Sequence, residues 1–484
     1  MGTAAEQGRK WSSAGILGTV KTKPIMNKPL HIVILAAGEG KRMHSALPKV
    51  LQSLGGRPLL SHLMDTTRKM EPNAVHVVYG SEPKQVQNAM TGYPEINWVM
   101  QADRLGTGHA VIQALPEIPD DALVLVLYGD HPLVPASVLQ QLIDHAKSAM
   151  TLLTIDLDRP KGYGRILRDR IGRVTGIVEE KDASANERDI TEVNTGIMLV
   201  SANWLKGWLS KVNNDNAQGE YYLTDIVALA HDDGVSIEAL IAPDAADLIG
   251  ANDRVQLAAL ERRYQHKAVN TLMSSGASVA DPERIDLRGT VETGNDVFID
   301  INCVFEGSNI IADGCRIGPG CLLKDCNIGP GTIIKAYSVM EDVLCGADCE
   351  IGPFARLRPE TQLADKVRVG NFVEVKKTTM GVGSKASHLT YLGDTTVGSD
   401  VNIGAGTITC NYDGANKYQT VIGDGAFIGS ASQLVAPVSI GKNATVGAGS
   451  TITKDVGDDE LGVSRARQKN MSGWQRPVKD ESED

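Results

Sequence analysis

After about Ser275 the chain settles into one recurring pair, an aliphatic residue followed by glycine, and that pattern restricts its second half to very few folds. The pairs fall at Ile317-Gly318, Ile328-Gly329, Ile351-Gly352, Val369-Gly370, Val397-Gly398, Ile403-Gly404, Ile422-Gly423, Ile428-Gly429, Ile440-Gly441 and Val446-Gly447, several of them six residues or a multiple of six apart. A six-residue period predicts a parallel β-helix. Each short strand spans one face of a prism, an aliphatic side chain points inward at the same place in every coil, and Gly or Asn relieves strain at the corners. Composition agrees: 50 glycines and only 4% aromatic residues suit an architecture of small and aliphatic side chains. The period fails between Thr409 and Val421, where C-N-Y-D-G-A-N-K-Y-Q-T predicts a loop thrown out from a coil, and such loops often line a binding face. Between Asn371 and Leu392 polar and basic residues crowd in, and after Lys454 the repeat stops and runs into a disordered acidic tail.

The first half follows another grammar. From about His31 to Val255, short aliphatic runs (His31 to Ala36, Val75 to Val78, Leu123 to Leu127, Met150 to Ile155) alternate with amphipathic helical stretches, which predicts an α/β, Rossmann-like domain with a mostly parallel sheet. Leu257 to Ser274 keeps apolar residues at helical spacing without Gly or Pro and is read as a connecting helix. At 484 residues the chain exceeds what one core supports. The expected divisions are a leader at 1–26, an α/β domain at 27–254, a linker helix at 255–274, and the β-helix with its tail at 275–484.

Charge and composition exclude several classes of function. A formal charge of −11 repels nucleic acid and anionic membranes over most of the surface, so an anionic substrate must meet local basic clusters. The seven cysteines all lie in the second half, odd in number and without paired C-x-x-C spacing, and are read as reduced core thiols in a cytoplasmic protein. No apolar run approaches membrane-spanning length. The first 24 residues make a poor signal peptide and are read as a disordered extension, with Met26 a plausible natural start.

Two places carry chemistry. The strand His31 to Ala36 runs into A-A-G-E-G-K-R-M with Leu47-Pro48-Lys49 soon after, where glycines admit phosphate oxygens to backbone N–H groups and Arg42 and Lys49 add full charges. It is neither a P-loop nor a G-x-G-x-x-G fingerprint. In the β-helix, Arg358, Lys376, His388, Tyr391, Asn402 and Lys417 lie across successive coils, and stacking can bring them to one face. Cations and a phenol suit a sugar phosphate, and a histidine suits removal of a proton from an attacking amine. Taken singly, each residue also has a bland reading as a solvated charge, a strand-end turn or a structural histidine. Residue types alone leave open a nucleotidyltransferase of one activity whose helix serves assembly, and a scaffold that binds metabolites without catalysis.

The motifs in order carry a resemblance. L-A-A-G-E-G-K-R-M with Pro48-Lys49, Gln101-Ala-Asp-Arg-Leu-Gly106-Thr107-Gly108-His109-Ala110 and Tyr128-Gly129-Asp130 resemble the signature of sugar-nucleotide pyrophosphorylases. Arg356-Leu-Arg358-Pro, Gly370 to Lys377, His388-Leu-Thr-Tyr391-Leu-Gly-Asp394 and Asn402 to Gly414 extend it. From about Met26 to Pro477 the chain is similar to the bifunctional N-acetylglucosamine-1-phosphate uridyltransferases/glucosamine-1-phosphate acetyltransferases, which implies a left-handed β-helix, a homotrimer, and supply of precursor for bacterial peptidoglycan and lipopolysaccharide.

In that family Leu35, Ala36, Ala37, Gly38, Lys49, Gln101, Gly106, Thr107, Tyr128, Gly129 and Asp130 would hold the UTP nucleotide. Gly164, Glu179, Asn194 and Asn252 would hold N-acetylglucosamine 1-phosphate. Asp130 and Asn252 would bind Mg²⁺, whose taste for oxygen ligands and retained waters fits one carboxylate, one amide and substrate phosphates. Arg42 and Lys49 would stabilise the transferring phosphates. In the second half His388 would be the general base, with Glu374 its orienting partner. Arg358 and Lys376 would take the phosphate of glucosamine 1-phosphate, and Tyr391, Asn402 and Lys417 the amino sugar. Acetyl-CoA would lie along Ala405, Asn411, Tyr412, Ser430, Ala448 and Arg465. His131 departs from the family, which more often has an apolar residue there.

Overall fold

The computed structural model describes residues 28–38, 40–80 and 83–479; the leader at 1–26 and the end of the acidic tail lie outside them. By internal contacts the chain forms two compact units, one running to Leu51 and from Leu59 to Asn252, the other holding Gln52–Pro58 and everything from Asp253.

The first unit is built on β1 (Leu30–Ala36), β2 (Ala74–Tyr79), β3 (Ile96–Met100), β4 (Leu123–Tyr128), β5 (Met150–Asp156), β6 (Arg165–Arg168), β7 (Val174–Val178), β8 (Glu192–Ser201) and β9 (Ile237–Ile241). The main sheet runs β9-β5-β8-β4-β1-β2-β3, with β6 and β7 attached through β8. Strands β1 and β4 carry the aliphatic runs Ile32 to Ala36 and Leu123 to Leu127 because both of their faces are covered. Ile32 and Leu125 enter one apolar cluster and Val33 and Val126 the other. The expected mostly parallel sheet holds for β4, β1, β2 and β3 and for β5 with β9. It does not hold around β8, which is antiparallel to β4, β5 and β6. The β6–β7 hairpin returns the chain through a short link, and a short link permits only antiparallel pairing. A register shift in β8 between Asn194 and Met198, with Gly196 at φ +82, takes Thr195, Gly196 and Ile197 out of the regular pairing with β5 just after Asn194. The C-terminal ends of the central strands meet where Gly129 N–H donates to the Leu35 carbonyl at 2.9 Å, so the first loop and Asp130 share one edge. Ligands bind open α/β sheets at such edges.

In the second unit the aliphatic residues of these pairs fall into stacked columns, which other small aliphatic residues complete. Ile299, Ile317, Ile334, Ile351, Val369, Ala386 and Ile403 align coil on coil, 17 or 18 residues apart and all buried. Three six-residue faces close each coil. Between Ile403 and its partner Ile428 the interval is 25, and the excess is the predicted loop around Asn411 to Tyr418. Six of the seven cysteines are buried in this interior and all seven are free thiols. The open end of the prism is covered by a 21-residue helix, Arg254–Ser274, capped by the Asp253 carboxylate on Gln256 N–H. Its buried Gln265 donates to the Leu287 carbonyl at 2.9 Å and accepts from Leu287 N–H at 2.7 Å, which satisfies the first strand's edge. The hairpin at Gln52–Pro58 belongs here because Gly55 N–H donates to Glu261 at 2.8 Å.

Candidate active sites

In the first unit the loop after β1 is open. Gly38 is exposed with nothing where a Cβ would stand, and the N–H groups of Gly38 and Gly40 donate to no acceptor among the described residues. Free N–H groups on a glycine turn are what phosphate oxygens require. A cleft of about 120 Å³ is lined by Ala36, Ala37, Gly38, Pro48, Gly80 and Arg104 among others. Arg42 is exposed and without an ion-pair partner among the described residues.

Lys49 ends between two oxygens. Its Nζ donates to Asp130 Oδ2 and, at 2.8 Å, to Asn252 Oδ1. Burial pushes the Asp130 carboxyl up, but the charges of His131 and Lys49 and the Lys49 hydrogen bond outweigh it and hold the group below the ordinary carboxylate value. Asp130 and Asn252 therefore aim a carboxylate and an amide oxygen at one cationic point, a donor set that fits a hard divalent ion completed by phosphate oxygens and water. His131 stacks on Tyr128 with ring centroids 5.7 Å apart. A side chain at Gly250 would overlap the His131 ring, so the imidazole fills its space at the cost of close packing.

The nucleotide-side residues come together around the start of the helix Thr107–Ala114. Gln101 Nε2 donates to the Gly106 carbonyl at 3.2 Å and lies 3.1 Å from His109 Nδ1. Gly106 sits at φ +114, where a Cβ would meet Tyr221 O at 2.6 Å. Thr107 Oγ1 accepts from Leu223 N–H. On the sugar side, Asn194 N–H donates to the Gly164 carbonyl at 2.9 Å, its Oδ1 accepts from Gly196 N–H at 3.0 Å, and Glu179 accepts from Thr224 at 2.9 Å. Burial holds the Glu179 carboxyl above its ordinary value despite that hydrogen bond. The buried Tyr128 phenol, raised by burial and then by the charges of Glu179 and Asp130, ties the two sides together.

The second unit presents His388 on its surface at the end of the strand Lys385–His388, not inside the prism. The expected Glu374 partner is corrected here: Glu374 accepts from Arg358 Nη1 at 2.8 Å, and the His388 ring instead places Nδ1 2.9 Å from Asn371 Oδ1. The guanidinium takes Glu374 because its planar fork offers the carboxylate a charge-assisted hydrogen bond. Glu374 and Tyr391 align in register. Lys417, by contact and charge, holds Lys376 below the ordinary lysine value, with burial and Arg358 adding to it and Asp394 opposing. Arg358 is paired with Glu374, which leaves Lys376 and Lys417 side by side with only Asp394 in opposition, a repulsion that a phosphate dianion would relieve. Asn402 sits in the column position next to Ile403.

Along one corner, Ala405, Ser430 and Ala448 succeed each other. Ala431 N–H donates to Ala405 O at 2.7 Å, and a side chain at Gly429 would meet Ala448 N at 2.4 Å. Ala405 N–H donates to no acceptor among the described residues. Asn411 donates to Asp394 at 2.5 Å, Tyr412 O–H to the Gly414 carbonyl at 2.5 Å, and Arg465 to the Ala448 carbonyl at 2.6 Å. A row of small corner residues with a guanidinium at one end can hold an extended pantetheine-like chain.

Models of known families match three stretches: a MobA-like NTP transferase domain at 32–188, a GMPPB C-terminal domain at 287–386, and bacterial transferase hexapeptide repeats at 419–454. Proteins named Bifunctional protein GlmU match nearly end to end. Those of Marinobacter nauticus and Alkalilimnicola ehrlichii are 53% identical over 93% of this chain and cover 99% and 97% of their own lengths. That of Stenotrophomonas maltophilia is 53% identical over 94% of this chain and its whole length. The chain belongs to the GlmU family.

This GlmU-family chain is thus a bifunctional transferase, an NTP transferase domain followed by a left-handed hexapeptide β-helix. Among the described residues no helix is long and apolar enough to cross a membrane. Sequence reasoning missed several participants. Asn371 stood in the crowded polar stretch but carried no pattern of its own, and Arg104 and His109 lay inside a quoted motif without a role. Thr224 and Tyr221 had no signal, because only the fold brings them to Glu179 and Gly106.

Proposed function

We propose that the chain makes UDP-N-acetylglucosamine in two steps: acetyl transfer from acetyl-CoA to glucosamine 1-phosphate in the β-helix, then uridyl transfer from UTP to the N-acetylated product in the α/β unit. The observation that supports two activities rather than one is the exposed His388 on the same coils as Arg358, Lys376 and Lys417, since an assembly module needs neither base nor dianion site.

In the first step the amine nitrogen attacks the thioester carbon. The N–C bond forms, the C–S bond breaks, and the amine proton passes to His388 and on to the departing thiolate. Ala405 N–H is the donor for the developing oxyanion, worth about 3 kcal/mol in comparable sites. In the second step a sugar phosphate oxygen attacks the α-phosphorus of UTP and pyrophosphate leaves. Arg42, Lys49 and the free loop N–H groups spread the charge, so positioning and electrostatics carry the rate. Asp130 and Asn252 would hold Mg²⁺, which would supply further charge neutralisation at the phosphates. A cytoplasmic homotrimer is part of this reading, checked by the mass of the protein in solution.

The test is to incubate the protein with glucosamine 1-phosphate, acetyl-CoA, UTP and Mg²⁺ while following free CoA thiol and pyrophosphate separately. Omitting UTP stops only pyrophosphate. Omitting acetyl-CoA stops both, and added N-acetylglucosamine 1-phosphate restores pyrophosphate alone. Pyrophosphate release without any CoA release would reduce the chain to a single activity.

A further inference from the structure

An exposed imidazole with no restraint visits several rotamers and both neutral tautomers, and only the tautomer with an unprotonated nitrogen facing the amine can act as base. Something must select it at His388. Glu374 is engaged by Arg358, and Asp394 accepts from Asn411. Lys377 pairs with Glu360 and Arg368 with Glu350, and among the described residues no carboxylate forms an ion pair with the His388 ring.

Asn371 lies one coil earlier, in parallel register with His388. Its Oδ1 is 2.9 Å from His388 Nδ1. Its carbonyl accepts from Leu389 N–H at 3.1 Å, so the same residue fixes the chain on the far side of the histidine. The His388 carbonyl in turn accepts from Thr390 Oγ1 at 2.7 Å. Backbone and ring are thus held together against one neighbour.

We propose that Asn371 is the positioning residue of the acetyl-transfer base, its amide oxygen holding the proton on His388 Nδ1 and leaving the Nε2 lone pair for the amine. The inference rests on His388 being that base. A neutral acceptor orients the ring as a carboxylate would, yet adds no negative charge that would retain the proton. The amine proton taken by Nε2 can then be released to the thiolate in the same turnover.

The experiment uses the full chain labelled with ¹⁵N-histidine, the His388→Ala variant assigning the ring signals. The wild type is expected to show Nδ1 protonated and Nε2 bare. Asn371→Leu should shift protonation toward Nε2 and lower kcat for CoA release by about 10²- to 10⁴-fold, the range of general-base catalysis, with KM for glucosamine 1-phosphate within twofold. Asn371→Asp keeps an acceptor and should restore most of the rate, with the acid limb of the pH profile moved up by about one unit. A wild-type ring protonated on Nε2, or an Asn371→Leu variant with unchanged kcat and tautomer, overturns the proposal while leaving His388 as base. If Asn371→Leu fails to fold, as loss of the β-strand signal in its far-ultraviolet circular dichroism would reveal, the wild-type spectrum and the Asp variant decide. Acetyl transfer surviving in His388→Ala would instead remove the base reading itself.

Discussion

Lys49 and Asp130 stand 81 positions apart, and Asn252 another 122 beyond Asp130, yet one ammonium touches both oxygens. Replacing Lys49 with Met removes the ammonium that contacts Asp130 and Asn252 and would face the transferring phosphates. Pyrophosphate release is expected to fall by about 10²- to 10³-fold, with CoA release unchanged, as the separate assays would read. Nearby, burial and then the charges of Glu179 and Asp182 push the Asp225 carboxyl up to about 6. A folded value above the unfolded one means the native state binds the proton more tightly, so stability declines as pH rises from about 4 to about 6 and stays reduced above that. Asp225→Asn is therefore expected to raise the melting temperature of this unit at pH 7 by roughly 2–4 °C. The gain should vanish near pH 4; a gain independent of pH would refute the electrostatic cause. Asp130 and Lys49 were legible in the sequence because their motif neighbours are contiguous. Thr224 and Asp225 were not, since a buried acid is recognised by what surrounds it.

Among the elements, the hairpin at Gln52–Pro58 and the helix Arg254–Ser274 depend on a close approach. Gly55 has φ +53, and a Cβ there would fall 2.1 Å from the Tyr264 ring. Gly55→Val should cost about 1–3 kcal/mol in chemical denaturation of the second unit, from overpacking added to left-handed strain. The loop from Asn411 to Tyr418 is the reverse case, a segment the coils do without. Excising 412–417 with a short glycine link should leave the far-ultraviolet circular dichroism of the β-helix intact. It should also lower CoA release at least 100-fold, because Lys417 and Tyr412 go with it. Loss of the β-strand signal would show that the loop is structural. Its position was readable as a failed period, but its tie to Lys376 was not, since that contact depends on where the loop folds back.

For the whole molecule, two chemistries in two units predict separable failures. His388→Ala should abolish CoA release while pyrophosphate release from supplied N-acetylglucosamine 1-phosphate stays near normal. Equal loss of both would point to misfolding. The sequence by itself determined the β-helix, because a six-residue period repeats one local conformation and needs no distant information. It also determined the phosphate loop, whose N–H groups come from adjacent residues. Tertiary structure alone decided the antiparallel entry of β8, the assignment of Gln52–Pro58 to the second unit, and the partner of His388. Each depends on which surfaces meet, and the choice between Glu374 and Asn371 was made by Arg358 reaching Glu374 from the neighbouring coil. A one-dimensional pattern records which residues are present, whereas competition for a hydrogen bond is settled only once the coils are stacked.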